Sequence, residues 1–157
     1  MLTRRSDGHE IDTSPGRLEG DQVHRWLSTD AYWALGRPAS VVADSLANSV
    51  CFGVYAPTGE QVGFARAVTD HATFAWICDV YIARSARGRG LGTWLARAVT
   101  DELHSAGVTR IILATADAHS IYAKAGFTTL AEPDRWMEID LRPTKAGQNR
   151  DGDVADS

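Results

Sequence analysis

The hydrophobic pattern of the chain is most informative between residues 75 and 106. Residues 76–82 are rich in β-branched and aromatic side chains over a length that suits a strand. Beyond a glycine-rich turn, apolar residues recur at helical spacing and end before Gly107, a residue type that suits a helix terminus. The members of this apolar stripe are Leu91, Trp94, Leu95, Ala98, Val99 and Leu103. The pattern therefore predicts a strand, a turn and a long helix in succession.

Weaker patterns predict the other elements. They are a strand at residues 10–13, a helix beginning at Asp21, a helix from Pro38 to about Asn48, a hairpin of residues 49–55 and 61–68, a strand at 110–115, a short helix around Tyr122 and a final hairpin of residues 127–130 and 136–141. This order predicts one α/β domain with a mixed sheet over residues 1–142. Residues 1–8 are expected to be loose, and the polar residues 143–157 are expected to form a disordered tail.

Composition narrows the class of protein. The 157 residues suffice for one domain, and 44% hydrophobic with 23% charged residues is ordinary for a soluble protein. The net charge of −4 argues against nucleic acid as a partner, and no apolar run reaches the length of a membrane span. Cys51 and Cys78 lie in apolar runs, which suits reduced, buried thiols, and no Cys/His spacing suits a metal. Since no apolar stretch follows Arg4 and Arg5, we expect no export and a cytoplasmic protein.

The turn between the predicted strand and helix has the properties of an anion site. The first turn of a helix has backbone N–H groups without intrahelical partners, and the helix dipole places partial positive charge there. The glycines of residues 87–92 allow a bulky anion to approach the backbone, and Arg87 and Arg89 add full charges. The spacing is that of neither a dinucleotide fingerprint nor a P-loop for nucleotide triphosphates. A plain connecting turn is the alternative interpretation.

Two motifs resemble those of the GNAT superfamily of N-acyltransferases. Residues 87–92 read Arg-x-x-Gly-x-Gly, which resembles the acyl-CoA signature of that superfamily. Residues 121–127 read Ile-Tyr-x-Lys-x-Gly-Phe, which resembles its Leu-Tyr-x-Lys-x-Gly-Phe segment. The resemblance covers roughly residues 50–141. It implies a GNAT-like, mostly antiparallel central sheet that is flanked by helices and splayed between the fourth and fifth predicted strands.

The resemblance implies acetyl-CoA as the co-substrate, with no metal, and it assigns residues to acetyl-CoA. The strand before the turn is expected to bulge and to hydrogen-bond the pantetheine arm as an added strand would. The glycine turn and the start of the helix are expected to hold the phosphates. The implied binding residues are Val80, Tyr81, Ile82, Arg87, Gly88, Arg89, Gly90, Leu91, Gly92 and Thr93.

The catalytic roles come partly from the resemblance and partly from chemistry. In the superfamily the tyrosine that Tyr122 matches faces the cofactor sulfur, which suits an acid for the leaving thiolate. The general base stays open between Asp79, His119 and a chain of water molecules. Asp79 precedes the expected bulge, but Cys78 stands where several relatives carry Glu, so Asp79 is also a candidate for recognising a cationic amine. His119 lies three residues before Tyr122, on the same helical side, and histidine titrates near neutral pH.

The predicted function is transfer of an acetyl group from acetyl-CoA to a primary amine by direct attack in a ternary complex. Aromatic residues in the expected acceptor walls favour a small cationic or aromatic amine, with Trp33 the best candidate for the pocket. These aromatic residues are Trp26, Tyr32, Trp33 and Trp136. A protein lysine or N-terminus is the second acceptor class, and a non-catalytic acyl-CoA-binding regulatory module is the alternative function. A homodimer is left open, and neither nucleic acid nor a membrane is an expected partner.

Overall fold

The computed structural model describes residues 1–143, which form a mixed sheet with helices against both faces. The strands are β1 (Leu2–Arg4), β2 (Glu10–Asp12), β3 (Val50–Tyr55), β4 (Gln61–Thr69), β5 (Ala75–Ile82) and β6 (Ile111–Ile112). The helices are α1 (Gly20–Thr29), α2 (Ala39–Ala47), α3 (Leu91–Ser105) and α4 (His119–Lys124), with 3₁₀ turns at Pro15–Arg17, Arg84–Ala86 and Pro133–Arg135. Within this range no helix combines the length and the apolar character needed to cross a membrane. The predicted disordered tail lies, apart from Pro143, outside the described residues.

The strands lie in the sheet in chain order, from β1 to β6. Strands β1 to β5 are antiparallel to their neighbours, and β6 is parallel to β5. The pairing of β5 with β6 covers two positions, Ala75 with Ile111 and Trp76 with Ile112. Beyond them, the rest of β5 and the residues after β6 border a cavity. The predicted mixed, mostly antiparallel and splayed sheet is therefore confirmed. The fourth and fifth predicted strands are β5 and β6, because β1, which was not predicted, shifts the numbering by one.

Two predictions about the ends of the sheet are wrong. Residues 1–8 are not loose, because they contain β1 and the turn into β2. The sequence did not indicate β1, because a strand of three residues is too short to show an alternation of apolar and polar side chains. The predicted final hairpin is absent, since no strand occurs between residue 113 and residue 143. Strand β6 has only two residues, so its edge has few backbone groups with which a hairpin could pair. In addition, Pro133–Arg135 forms a 3₁₀ turn instead of a tight hairpin turn.

The sheet separates two hydrophobic clusters. On one face Leu95 of α3 packs in a cluster with Phe52 of β3. On the opposite face Leu27 of α1 and Val42 of α2 pack in a cluster with Phe64 of β4. All five side chains are buried, and burial of one such side chain contributes about 1.5–3 kcal/mol. Because successive side chains of a strand point to opposite faces of the sheet, β3 and β4 contribute to the packing of both helix layers.

Tyr55 ties the N-terminal 3₁₀ turn to the sheet. Tyr55 is 1% exposed, and its hydroxyl donates to the carbonyl oxygen of Arg17 at 2.9 Å. The Arg17 guanidinium lies 3.8 Å from the centroid of the Tyr55 ring. A Cβ built on Gly53 would lie 2.7 Å from Tyr55 Cζ, so the packing of this ring requires glycine at position 53.

We expect Gly53→Ala to lower the free energy of unfolding by about 1–3 kcal/mol, because the added methyl group displaces a buried, hydrogen-bonded ring. Urea denaturation measures this change. Gly16→Ala is the matched control, since nothing lies within 4 Å of a Cβ built on Gly16. Equal stability of the two variants would contradict the packing requirement.

Candidate active site

A β-bulge interrupts the pairing of β4 with β5. Between the pairs Phe64–Tyr81 and Arg66–Cys78, one residue of β4 stands opposite two residues of β5, which are Asp79 and Val80. Asp79 has a φ of 52°, in the left-handed region that residues other than glycine rarely adopt. A bulge of the kind that the resemblance implies is therefore present, at Asp79–Val80.

The bulge reverses the face that the side chains of β5 occupy. Side chains two or four residues apart in a regular strand share a face. Ile77, before the bulge, packs in the cluster with α3, whereas Tyr81, after it, packs in the cluster with α1 and α2. There Tyr81 stacks on Trp26 with 5.2 Å between ring centroids, and its hydroxyl donates to Asp30 Oδ2 at 2.6 Å. Trp26 therefore packs on the core and does not line the cavity.

The Asp79 carboxylate is buried beside the bulge and accepts hydrogen bonds from three side chains. Trp33 Nε1 donates to Oδ1 at 3.0 Å, and Arg37 Nη1 and Arg66 Nε each donate to Oδ2 at 2.7 Å. The Asp79 side chain is 2% exposed. Burial raises the pKa of Asp79, but the hydrogen bonds and charges of the two arginines outweigh burial and hold the pKa below its ordinary value. Such a carboxylate is a poor proton acceptor, and two guanidiniums already offset its charge.

A cavity of about 540 Å³ lies where β5 and β6 separate. One wall is the connector between α1 and α2, which contributes Trp33 and Arg37. The other walls are Cys78–Val80 of β5, residues 113–118 after β6, and Tyr122 of α4. Its volume lies within the range of small-molecule sites. Within residues 1–143, no group of three or more His, Cys, Asp or Glu side chains is placed to hold a metal ion.

Tyr122 joins Asp79 in the lining of this cavity. Its ring is half-buried and meets Phe127 edge-on, with 6.0 Å between ring centroids. Burial, reinforced by the negative charge of Asp117, raises the pKa of Tyr122 to about 12. The phenol therefore keeps its proton at neutral pH. The Tyr32 hydroxyl donates to Asp117 Oδ1 at 3.1 Å on the same side of the cavity.

The structure does not bring every predicted site residue to the cavity. His119 is the exposed first residue of α4 and lies outside the lining. Trp136, expected in an acceptor wall, instead meets the Arg110 guanidinium, which lies 4.8 Å from its ring. The turn before α4 is held by Thr115, whose Oγ1 accepts a hydrogen bond from the Ala118 N–H at 3.0 Å. The cavity thus unites Tyr122 and Asp79 and leaves out His119.

Residues 87–93, called the phosphate loop below, have the backbone geometry of an anion site. Gly88 and Gly90 have φ values of 77° and 73°, in the left-handed region. The helix α3 is 15 residues long, and within it the Trp94 N–H donates to the carbonyl oxygen of Gly90 at 3.1 Å. The amides of residues 91–93 precede that bond and have no intrahelical partner. Nothing lies within 4 Å of a Cβ built on Gly88, so a bulky anion has room beside the loop.

Two arginines brace the phosphate loop. Arg87 Nε donates to the carbonyl oxygen of Ile82 at 2.8 Å, and Arg87 Nη2 lies 3.3 Å from Asp30 Oδ2. Arg5, in the turn between β1 and β2, donates from Nη1 to the carbonyl oxygen of Arg89 at 2.9 Å. Sequence reasoning missed Arg5, because no local pattern links residue 5 to residue 89.

Sequence reasoning also missed Arg37 and Arg66. Arg66 does carry a signal, because it is a charged residue inside the otherwise apolar strand predicted at residues 61–68, and a buried charge needs a partner. Arg37 carries no such signal, since it lies in a connector where charged residues are common.

Comparison with known proteins agrees with this geometry. Residues 20–127 match the acetyltransferase (GNAT) family. A candidate acetyltransferase of Gibberella zeae is 32% identical over 133 residues, which cover 73% of this chain and 75% of that protein. The crystal structure of a candidate GNAT-family acetyltransferase from Xanthomonas campestris pv. campestris shares 38% identity with a TM-score of 0.78, over 85% of this chain and 93% of that one. A Bacillus subtilis acetyltransferase crystallised with CoA shares the fold, with 18% identity and a TM-score of 0.61 over 82% of this chain and 85% of that one.

We expect Asp79→Asn to remove a pH-dependent part of the stability. Because the folded pKa of Asp79 lies below the value of about 3.9 for an unfolded Asp, its contribution is complete above that value and is lost as the pH falls toward the folded pKa. The difference in free energy of unfolding between the wild type and Asp79→Asn should therefore shrink as the pH falls below about 4. Urea denaturation at each pH measures it, with Asp101→Asn on the exposed side of α3 as the control. A difference that stays constant for Asp79→Asn would contradict the role of the ionised carboxylate.

Proposed function

Because the chain belongs to the GNAT family of acetyltransferases, we propose that it moves an acetyl group from acetyl-CoA to the primary amine of a small molecule by direct attack. The observation that carries this proposal is the cavity at the splay. It joins the bulge of β5 to Tyr122, and β5 leads directly toward the phosphate loop. A volume of about 540 Å³ favours a compact acceptor over a segment of a folded protein.

Two parts of the chain are proposed to hold acetyl-CoA. The unpaired amides of residues 91–93 and the left-handed glycines at positions 88 and 90 fit a diphosphate. Residues Val80–Ile82 fit the pantetheine arm, because the sheet opens beside them and an extended chain can lie there as an added strand. When bound, acetyl-CoA supplies an activated acyl carbon and a thiolate leaving group.

The reaction forms an N–C bond and an S–H bond and breaks a C–S bond and an N–H bond. The lone pair of the amine nitrogen bonds to the acetyl carbon and the C–S bond breaks, the nitrogen then gives one proton to water, and the leaving thiolate takes one proton from water. An alkylammonium, with a pKa of about 10.4, must first lose a proton to have a lone pair. Asp79 is a poor base because two arginines hold its pKa low, and His119 lies outside the cavity. We assign removal of this proton to water in the cavity.

Tyr122 is the proposed donor to the leaving sulfur. Its pKa of about 12 keeps it protonated, and within residues 1–143 only burial and nearby charges, with no hydrogen bond, act on that pKa. A phenol with this pKa is a weaker acid than a thiol near 8.5, so hydrogen bonding to the developing thiolate is favoured over full proton transfer. That hydrogen bond stabilises the charge that forms on sulfur as the C–S bond breaks.

We expect acetyl-CoA to raise the thermal unfolding midpoint, free CoA to raise it less, and NADH and ATP to leave it unchanged. A ligand that binds only the folded state stabilises it by mass action, by about 2.7 kcal/mol at a hundredfold excess over Kd. Differential scanning fluorimetry measures the midpoints.

Gly90→Val should abolish this shift, because valine is strained at a φ of 73° and its side chain occupies the loop. Gly59→Val is the matched control, since its φ is 88°, nothing lies within 4 Å of its Cβ position, and it lies in the turn between β3 and β4. An equal shift with NADH, or a full shift in Gly90→Val, would overturn the CoA assignment.

We expect Tyr122→Phe to lower the single-turnover rate of acetyl transfer about 10- to 100-fold, since a hydrogen bond to a charged group is worth about 1.5–3 kcal/mol. Rapid-quench measurement at saturating substrates isolates the chemical step from product release. Calorimetry should show acetyl-CoA affinity within a few-fold of wild type. An unchanged single-turnover rate would limit Tyr122 to a packing role.

A further inference from the structure

We infer that the amine acceptor also carries an anionic group, a carboxylate or a phosphate, which Arg37 and Arg66 hold. The inference rests on the proposed function, because it identifies the substrate class of the same cavity. It also replaces the expectation that Asp79 holds the ammonium of a purely cationic amine.

Arg37 and Arg66 both line the cavity, and some of their N–H groups are available to a ligand. Their side chains are only 22% and 15% exposed. Arg37 donates to Asp79 through Nη1 alone, while Arg66 donates through Nε to Asp79 and through Nη1 to Ser49 Oγ at 3.2 Å. Within the part of the chain that the structure describes, Nε and Nη2 of Arg37 and Nη2 of Arg66 have no hydrogen-bond partner.

The charges beside the bulge do not balance. Two guanidiniums share the single carboxylate of Asp79, so one positive charge is left in a largely desolvated wall. A charge removed from water is costly unless an opposite charge and hydrogen bonds compensate for it. A carboxylate or phosphate can take two parallel hydrogen bonds from a guanidinium, which makes it the ligand group that best completes this wall.

The third arginine in the lining does not compete for this role. Arg142 bonds Asp140 through both Nε and Nη2, and its side chain is exposed. On the side of Tyr122, the lining instead includes the carboxylate of Asp117, bonded by the Tyr32 hydroxyl. An acceptor with its anion on Arg37 and Arg66 can therefore direct its amine toward Tyr122, where the negative charge of Asp117 favours an ammonium.

The test uses pairs of amines that differ only in the anionic group. Suitable pairs are L-phenylalanine with phenethylamine, β-alanine with ethylamine, and O-phosphoethanolamine with ethanolamine. The first two pairs probe a carboxylate and the third a phosphate. With wild-type protein and acetyl-CoA, we expect kcat/KM to be about 10- to 100-fold higher for the anionic member of at least one pair.

Arg37→Gln should remove that preference. The fall in kcat/KM should be about 10- to 100-fold greater for the preferred anionic amine than for the partner that lacks the anionic group. Comparing variants on the same amine cancels its intrinsic reactivity. Arg37→Lys, which keeps the charge but loses the planar fork, should recover part of the preference. Arg25→Gln is the charge-matched control, because Arg25 is exposed on α1 and its guanidinium bonds only Gln22 among the described residues.

Each outcome decides between the two proposals. Equal kcat/KM values for the two members of every pair would overturn the inference of an anionic acceptor and leave the proposed function standing. The absence of turnover with every amine would overturn the proposed function, and the inference with it. Since the wild-type comparison needs no variant, a folding defect in Arg37→Gln would not prevent the decision.

Discussion

A buried carboxylate, that of Asp79, joins three segments that are distant in the sequence. Its partners Trp33 and Arg37 lie 46 and 42 residues away in the connector between α1 and α2, and Arg66 lies 13 residues away on β4. Removing one carboxylate and two guanidiniums from water is favourable only when they meet in good geometry. The Asp79 cluster therefore couples the bulge to the connector and to β4, because each of these segments contributes a group to the same buried set of hydrogen bonds.

The same bulge connects the cavity to the phosphate loop. By reversing the faces of β5, it turns Tyr81 toward Trp26 and Asp30. Asp30 also accepts hydrogen bonds from Arg84 and Arg87, which lie where β5 runs into the loop. One irregular position in a strand thus aligns the proposed sites of the acceptor and of acetyl-CoA.

How much could be predicted from the sequence depended on how local each signal was. The strand, turn and helix of residues 75–106 followed from periodicity and glycine placement within short windows, whereas the positions of Tyr122 and Trp33 at the cavity followed from the resemblance to the GNAT superfamily. The partners of Asp79 could not be predicted, because strand register and ion pairing depend on residues far away in the chain. The final hairpin was predicted wrongly for a similar reason: nothing in residues 127–141 reveals that β6 has only two residues.

The division of the site between segments has a consequence for engineering. The cavity is built largely from the connector between α1 and α2 and from residues 113–118, whereas the phosphate loop is a separate piece of chain. Under the proposed function, acceptor range can be altered by exchanging residues 31–38 of the connector, while Asp30 is kept because it bonds Arg87 of the phosphate loop. Such a graft also changes the charge beside the bulge, because a connector without Arg37 leaves Asp79 paired with Arg66 alone. It would thereby remove the excess positive charge that the anionic group of the acceptor is inferred to bind.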